Sequence, residues 1–580
     1  TLFPYTTLFR SIMNILGISC YYHDSAACLI TDGVIKAAGA EERFTRKKHD
    51  KSFPFKTIDY CLKELGGAIN EIDAVVFYEK PIVKFERTIS QHLQNFPKSL
   101  PLALSSIPEL FDQKLQIEKI LKEELNYHGK IYYSSHHLSH ASSAYYLSGF
   151  KKAAILTVDG VGEWATTTLG IGKGKNIKID QEISFPHSLG LLYSTLTTYL
   201  GFDANNSEYK VMGLAAYGDP QPYKEKFDEL VTQFSDGSYQ LNQKYFDFDW
   251  SNKRMFSKEL VKLFGHKPRK PESKAYKYHE DIAAALQKKL EEVVINMLKA
   301  AYKKYKTPNL CFSGGVALNS VLNGKIISQT PFKNLYIPTD PSDAGASMGA
   351  ALYVTAQKDK HPIQWKKFNP YLGPGYSWYE IEKTLKKMNI SYTFFKDKKK
   401  LTKNVAKKIK NQKVIGWFQG RMEWGPRALG NRSILADATT TEMRDIINAK
   451  VKKREMFRPF APVILEEYTE KYFESDKNLS VSAKYMLMVY PFKEIGKKQV
   501  PAVTHVDGSG RLQTLARKDN KLYYELIEEY EKITGVPIII NTSFNVRGEP
   551  IVCSPEDAVN CFLHTDIDYL VIDQFICKKN

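Results

Sequence analysis

Two histidines four residues apart, His136 and His140 in SSHHLSHASSAYYL, are spaced so that one helix face aims both imidazoles at a single point. Such a pair can hold a metal, although the same spacing arises in helices that bind nothing. Two carboxylates strengthen the reading. Asp159 ends the strand-like run AAILTVDGVGE, and Asp343 stands on a turn entering the small-residue helix of PTDPSDAGASMGAA. Two imidazoles with two carboxylates make a mixed nitrogen and oxygen set suited to iron, manganese or zinc.

Arginines form the second chemical group. Arg421, Arg427, Arg432, Arg444, Arg454 and Arg458 fall in or beside Gly/Pro-rich loops, where a planar guanidinium fork serves phosphate recognition. NAKVKKREMFRPFAPVIL adds Lys450, HVDGSGRLQTL adds Arg511, and VPIIINTSFNVRGEP carries Asn541, Ser543 and Arg547 straight after a buried strand. Two glycine turns follow strands and suit a phosphate or the metal: Gly160 and Gly162 in VDGVGEW, and Gly314 and Gly315 in SGGVALNS, which also holds Asn319. His23 in YYHDSA and His49 in KKHDKSFP each lie on a loop, where a single histidine is more often structural than catalytic. Lys210 stands in an apolar, small-residue stretch, so it is either at the surface or facing an anion.

The elements that must position these groups alternate in type. From Met13 the chain reads strand, polar turn, strand, Asp-Gly turn, strand. Apolar residues at 282, 286, 290, 293, 294, 297 and 301 have helical spacing and predict a long packed helix over 279–305. Residues 235–275, polar, aromatic and basic, read as an insertion or lid rather than core. Proline and glycine thicken over 361–377 and mark a domain boundary, beyond which strands and helices alternate again. At 580 residues, at least two domains are expected.

Composition narrows the class. A hydrophobic content of 43% is that of a globular chain, and no apolar stretch reaches the ~18 residues of a membrane span, so the protein reads as soluble. Seven scattered cysteines without a CxxC pair argue for reduced thiols and a cytoplasmic location. The net charge of +18 comes from lysines spread along helical stretches, a solvated surface rather than a nucleic-acid track. The first dozen residues read as a non-native or disordered leader, with Met13 as the natural start.

The motifs HDSAA, EERFTRKKHDKSFP, HHLSHASSAYYLS, DGVGEW, EYKVMGLAAYGD, SGGVALNS, SDAGASMGAA, WFQGRMEWGPRALGNRSIL, REMFRPFAPV and NTSFNVRGEPIV together resemble the NodU/CmcH family of O-carbamoyltransferases. The resemblance implies an N-terminal α/β domain over 13–365 of the actin/Hsp70/sugar-kinase (Kae1-like) kind, and a YrdC-like α/β domain over 370–580. It implies that the second domain forms carbamoyl adenylate from carbamoyl phosphate and ATP, with Mg2+. The first then moves the carbamoyl group to an acceptor hydroxyl and releases AMP. By motif, the ligands of Fe(II) or another divalent metal fall on His136, His140, Asp159 and Asp343, with His137 as a neighbour. His23, His49 and Lys210 become catalytic candidates, either histidine able to act as general base.

The same resemblance assigns the phosphates of ATP and carbamoyl phosphate to Arg421, Arg427, Lys450, Arg454, Arg458, Arg511 and Arg547, with Asn541 and Ser543 orienting the carbamate or nucleotide. Gly160, Gly162, Gly314, Gly315 and Asn319 join them as backbone contacts. The acceptor is left open among aminoglycosides, β-lactam precursors, macrolides, sugars and lipo-oligosaccharides, with antibiotic biosynthesis as the expected setting. Two rivals stand beside this reading. One is a tRNA threonylcarbamoyladenosine-type enzyme; the other is a nucleotide-switched binding protein of the Hsp70/actin kind. No membrane partner is implied, and a homo-oligomer is left open.

Overall fold

The computed structural model describes residues 13–251, 254–455, 457–475 and 479–579, so the expected leader lies outside the described residues. The chain opens on three antiparallel strands, Asn14–Ser19, Ala26–Thr31 and Val34–Ala40. Ala74–Phe77 then pairs parallel to the first strand, and Lys130–Tyr133 parallel to Ala74–Phe77. A second sheet repeats this plan. Lys152–Val158, Ala165–Lys173 and Asn176–Ser184 are antiparallel, and Asn309–Ser313 and Asn334–Tyr336 add parallel strands on the side of Lys152–Val158. Both sheets therefore have the order third, second, first, fourth, fifth, and the N-terminal half is one α/β unit used twice. The first strand of each sheet is central, covered on both faces, and reads as a near-continuous buried run.

The repeat sets the site. In each unit a helix follows the fifth strand: His136–Ser148 after the first sheet, Asp343–Lys358 after the second. The two helices pack together because the second is built from small residues. A Cβ on Gly349 would lie 1.8 Å from the Ser139 carbonyl oxygen, and one on Gly17 would lie 2.0 Å from that of Ser347. Only glycine permits these approaches, so bulk at Gly349 would separate the helices that carry His136, His140 and Asp343, and bulk at Gly17 would push the Asp343 helix off the first strand.

The long helix runs Lys277–Tyr305, with Ile282, Leu286, Leu290, Val293, Val294, Met297 and Ala301 all buried. The stretch 235–275, expected as an insertion or lid rather than core, nonetheless contributes a buried aromatic and aliphatic face. Tyr239, Leu241, Tyr245, Phe246, Phe256, Leu260 and Phe264 are buried in the main hydrophobic cluster, while the basic residues between them cover the outside.

The C-terminal half is a nine-stranded mixed sheet. Its order is Tyr392–Phe394, Phe575–Lys578, Tyr569–Ile572, Ile415–Phe418, Arg432–Asp437, Ile538–Ser543, Ala461–Leu465, Ser509–Leu515, Met488–Pro491. It packs against the second repeat closely enough that a Cβ on Gly324 would lie 1.9 Å from the Val489 carbonyl oxygen. Asn323 Nδ2 donates to the Leu487 carbonyl at 2.9 Å across the same contact. One hydrophobic cluster consequently runs through the second sheet, the long helix and the C-terminal sheet, while the first sheet has its own.

Candidate active site

His136 is the first residue of its helix and His140 lies one turn on, so both rings point the same way and their Nε2 atoms stand 3.1 Å apart. Asp159, in the turn after the first strand of the second sheet, brings Oδ2 to 3.0 Å from His136 Nε2 and 3.8 Å from His140 Nε2. Asp343, the first residue of the opposing helix, places Oδ1 at 3.5 and 3.4 Å from the same two atoms. All four residues are buried, and one ligand atom from each lies within 4.8 Å of the others. The Gly314–Gly315 turn serves this cluster: Gly315 N–H donates to Asp159 Oδ1 at 2.9 Å, and Gly314 holds the turn at φ +91° against the Val158 backbone. Gly162 leaves room for the ring of His136, whose carbons lie 3.0 Å from where a Cβ would be.

His137 is tied elsewhere, Nδ1 to Thr157 Oγ1 at 2.6 Å and Nε2 to the Ala165 carbonyl at 2.9 Å. Burial, with the neighbouring imidazoles His136 and His140, pushes it down to about 3, so it is a neutral structural residue. For His140 burial also opposes charge, but Asp159 and Asp343 outweigh it and raise the ring to about 9. A cation among the four would replace that proton.

A second ring of groups stands beside the cluster. Asp24, in the turn of the first sheet that corresponds to the Asp159 turn of the second, accepts from His23 Nδ1 at 2.9 Å and His49 Nδ1 at 2.7 Å. His23 Nε2 faces Asp343 at 3.9 Å, whereas His49 Nε2 is taken by Asn206 Oδ1 at 2.8 Å. Burial lowers His23, but Asp24, Asp343 and Asp159 together raise it to about 9.

From this cluster one cavity of about 500 Å³ runs to the C-terminal half. Gly160, Gly315 and Asn319 line its near part; Arg427, Arg454, Arg458, Arg511, Asn541, Ser543 and Arg547 line the rest. Arg427 and Arg511 each bury an unpartnered Nε. Burial first, then the nearby guanidinium groups of Arg427, Arg454 and Arg458, holds Arg511 well below the usual arginine range, and burial with Arg458 takes Arg454 to about 9. Cations forced together in this way call for an anion. Asn541 donates to the Ala428 carbonyl and to Gln513 Oε1, leaving its own Oδ1 unpartnered.

Five sequence candidates are placed outside the cavity or occupied within the chain. The Arg421 guanidinium, belonging to the boundary between halves, donates to the carbonyls of Gly373, Lys36 and Leu372 and to Tyr60. Lys450 is exposed, while Lys452, two residues on, is buried in the cavity wall and donates to Asn545 Oδ1 at 2.8 Å. Lys210 does face an anion, Glu455 at 3.1 Å, and so ties the second repeat to the C-terminal half. Gly314 and Gly162 shape the His/Asp cluster without lining the cavity.

Residues 14–352 match the family model described as carbamoyltransferase N-terminus, and residues 406–579 the one described as carbamoyltransferase C-terminus. The chain belongs to the carbamoyltransferase family. Its relatives include the Synechocystis protein sll1178, 44% identical over 98% of this chain and 97% of that protein. The nodulation protein NolNO of Sinorhizobium fredii is 37% identical over 96% of this chain and 79% of its own length. NolO of Bradyrhizobium diazoefficiens is 37% identical over 77% and 79% respectively.

Within the carbamoyltransferase cavity several lining residues were not among the sequence candidates: Tyr22, Asp24, Asn206, Asp340 and Lys452. Asp24 adjoins His23 in HDSAA, a signal that was available. Asp340 was not readable, because its importance comes from burial: desolvation lifts its carboxyl to about 6, despite hydrogen bonds from Ser342 and the charge of Arg43.

Proposed function

We propose that this carbamoyltransferase is an O-carbamoyltransferase that forms carbamoyl adenylate at the arginine end of the cavity and transfers the carbamoyl group at the His/Asp end. The observation that carries the reading is the single cavity joining a four-donor cluster to a group of buried, carboxylate-poor cations. In the first step phosphate leaves carbamoyl phosphate to water, and the resulting carbamate oxygen attacks the α-phosphorus of ATP, expelling pyrophosphate. Arg427, Arg454, Arg458 and Arg511 offset the charge brought together there. In the second step the acceptor oxygen bonds the carbamoyl carbon as the bond to AMP breaks, and the hydroxyl proton passes to a base.

His23 is the better base of the two histidines. Its Nε2 has no hydrogen-bond partner and faces the cluster, whereas both ring nitrogens of His49 are occupied. Asp24 would hold the His23 ring in orientation while the proton is received at Nε2. The four donors fit a divalent cation such as Fe(II): both oxygens of Asp343 are buried without a hydrogen-bond partner, beside two imidazole nitrogens and a second carboxylate. Such an ion would supply Lewis-acid stabilisation of negative charge during acyl transfer. In its absence His23 is held protonated, and a cation offsetting Asp343 and Asp159 would free it to act as a base.

The test is a pair of assays on the full chain. Pyrophosphate release should depend on carbamoyl phosphate and not on threonine with bicarbonate. Radiolabel from carbamoyl phosphate should pass to a hydroxylated small molecule with AMP as co-product. Dependence on threonine with bicarbonate would overturn the reading.

A further inference from the structure

A second cavity, of about 270 Å³, shares Tyr22 with the first as a lining residue. The helices Pro81–Gln94 and Leu100–Asp112 contribute most of its remaining walls. The first of these is fixed to the metal-cluster helix by one carboxylate: Glu163 accepts from the backbone N–H of Lys80 at 2.8 Å and from that of His136 at 3.0 Å. One carboxylate thus links a wall of this cavity to the His/Asp end.

Its chemistry is that of a built anion site. Lys84 and Lys114 share buried Glu79, and both ammonium groups lie over the Tyr22 ring, at 4.9 and 5.8 Å. Lys51 pairs with Glu109 at 2.5 Å. Arg87, only 7% exposed, has no carboxylate partner among the described residues: Nη1 donates to Gln91 Oε1 at 2.6 Å, and its buried Nε has no partner. His92 Nδ1 and Gln113 Oε1 are also buried and unpartnered. Burial and the adjacent Arg87 hold His92 below its ordinary range, so it adds no charge. Four cations face two carboxylates, an excess of two positive charges.

We propose that this second cavity is the acceptor's recognition subsite and that it takes an acidic group, carboxylate or phosphate, on a hydroxylated acceptor, with Arg87 as the anchor. The proposal rests on the O-carbamoyl-transfer reading. The nucleotide and its phosphates claim the arginine end of the main cavity, so the acceptor hydroxyl enters from the Tyr22 side. A guanidinium fork with an unused donor suits a planar carboxylate or a phosphate, and the unpaired excess of charge selects against cationic acceptors.

Calorimetric titration of glucose, glucuronate and glucose 6-phosphate into the full chain, with a non-hydrolysable ATP analogue saturating the main cavity, tests this. Both acidic probes should bind at least ten times more tightly than glucose, and the stronger of the two identifies the acidic group. Arg87→Gln should erase that preference while leaving acceptor-free, carbamoyl-phosphate-dependent pyrophosphate release within twofold. Arg87→Lys, the milder variant should the first fail to fold, should keep part of the preference. Acidic probes that bind no better than glucose, or a preference that survives Arg87→Gln, would overturn the subsite. Failure of the transfer reading itself would appear separately, as wild-type chain with no carbamoyl-phosphate-dependent pyrophosphate release.

Discussion

At one end of the main cavity His136, His140, Asp159 and Asp343 crowd their donor atoms within 4.8 Å, with two carboxylates that have no lysine or arginine partner among the described residues. At the other end Arg427, Arg454, Arg458, Arg511 and Lys452 gather, and of these only Arg458 has a carboxylate partner among the described residues, Glu455 at 3.3 Å. The two ends are opposite in sign and alike in being unfinished. Buried like charges are costly unless a ligand completes them, so the first end is shaped for a cation and the second for phosphates. The first end is also made by the doubled fold, its four donors standing at strand and helix ends of the two repeats, whereas the second is made by the strands and connecting segments of a single sheet.

The largest expected break is Asp343→Ala. It removes one carboxylate from the ligand set and should cost bound metal, measured by elemental analysis, together with more than about 100-fold of transfer activity. Binding of ATP, which belongs to the other end, should be unchanged by calorimetry.

Asp340 stands between the ends, and its raised value of about 6 makes its charge a burden on the fold. The folded state holds the proton that the unfolded chain gives up near 4, so stability from this group is present at low pH and is lost as pH rises to about 6. Asp340→Asn should therefore stabilise the chain by up to about 3 kcal/mol above pH 7 and by nothing below pH 4, read from denaturant midpoints at the two pH values. An equal gain at both would show that charge burial is not the cause.

Arg→Lys at 427 or 458 keeps charge and loses the fork. Each should slow carbamoyl adenylate formation roughly ten- to a hundredfold, about 1.5–3 kcal/mol, with thermal stability nearly unchanged. Lost stability with retained rate would make these arginines structural. The smallest effect is expected at Lys210→Met, which takes one of the cations from Glu455 where the second repeat meets the C-terminal half and leaves it Arg458. A loss of about 1–2 kcal/mol in stability, with both half-reactions retained, separates this joint from the chemistry.

Much of the first end was legible because it is local: the spacing of His136 and His140 defines a helix face, Asp159 follows a recognisable strand, and Asp343 opens a recognisable small-residue helix. The doubling of the sheet was not, since strand order is set by pairings between residues far apart in the chain, such as Leu310 with Ala154. At the second end, motif membership did not say where a guanidinium points. Arg421 and Arg427 share one loop, yet the first holds backbone carbonyls and the second lines the cavity. Lys450 and Lys452 are exchanged for a similar reason: residues 447–452 form a π-helical turn, which rotates side chains away from the facing that ordinary helical spacing would give. The 235–275 stretch misled because its buried aromatics alternate with a basic exterior, so its average composition is that of a surface.

The central claim, that the two ends perform separable halves of one reaction, is tested most directly by His140→Ala assayed for both. Carbamoyl-phosphate-dependent pyrophosphate release should persist near the wild-type rate while carbamoyl transfer to any acceptor is abolished. Loss of pyrophosphate release in parallel with transfer, in a variant that still melts as the wild type does, would contradict the division of labour.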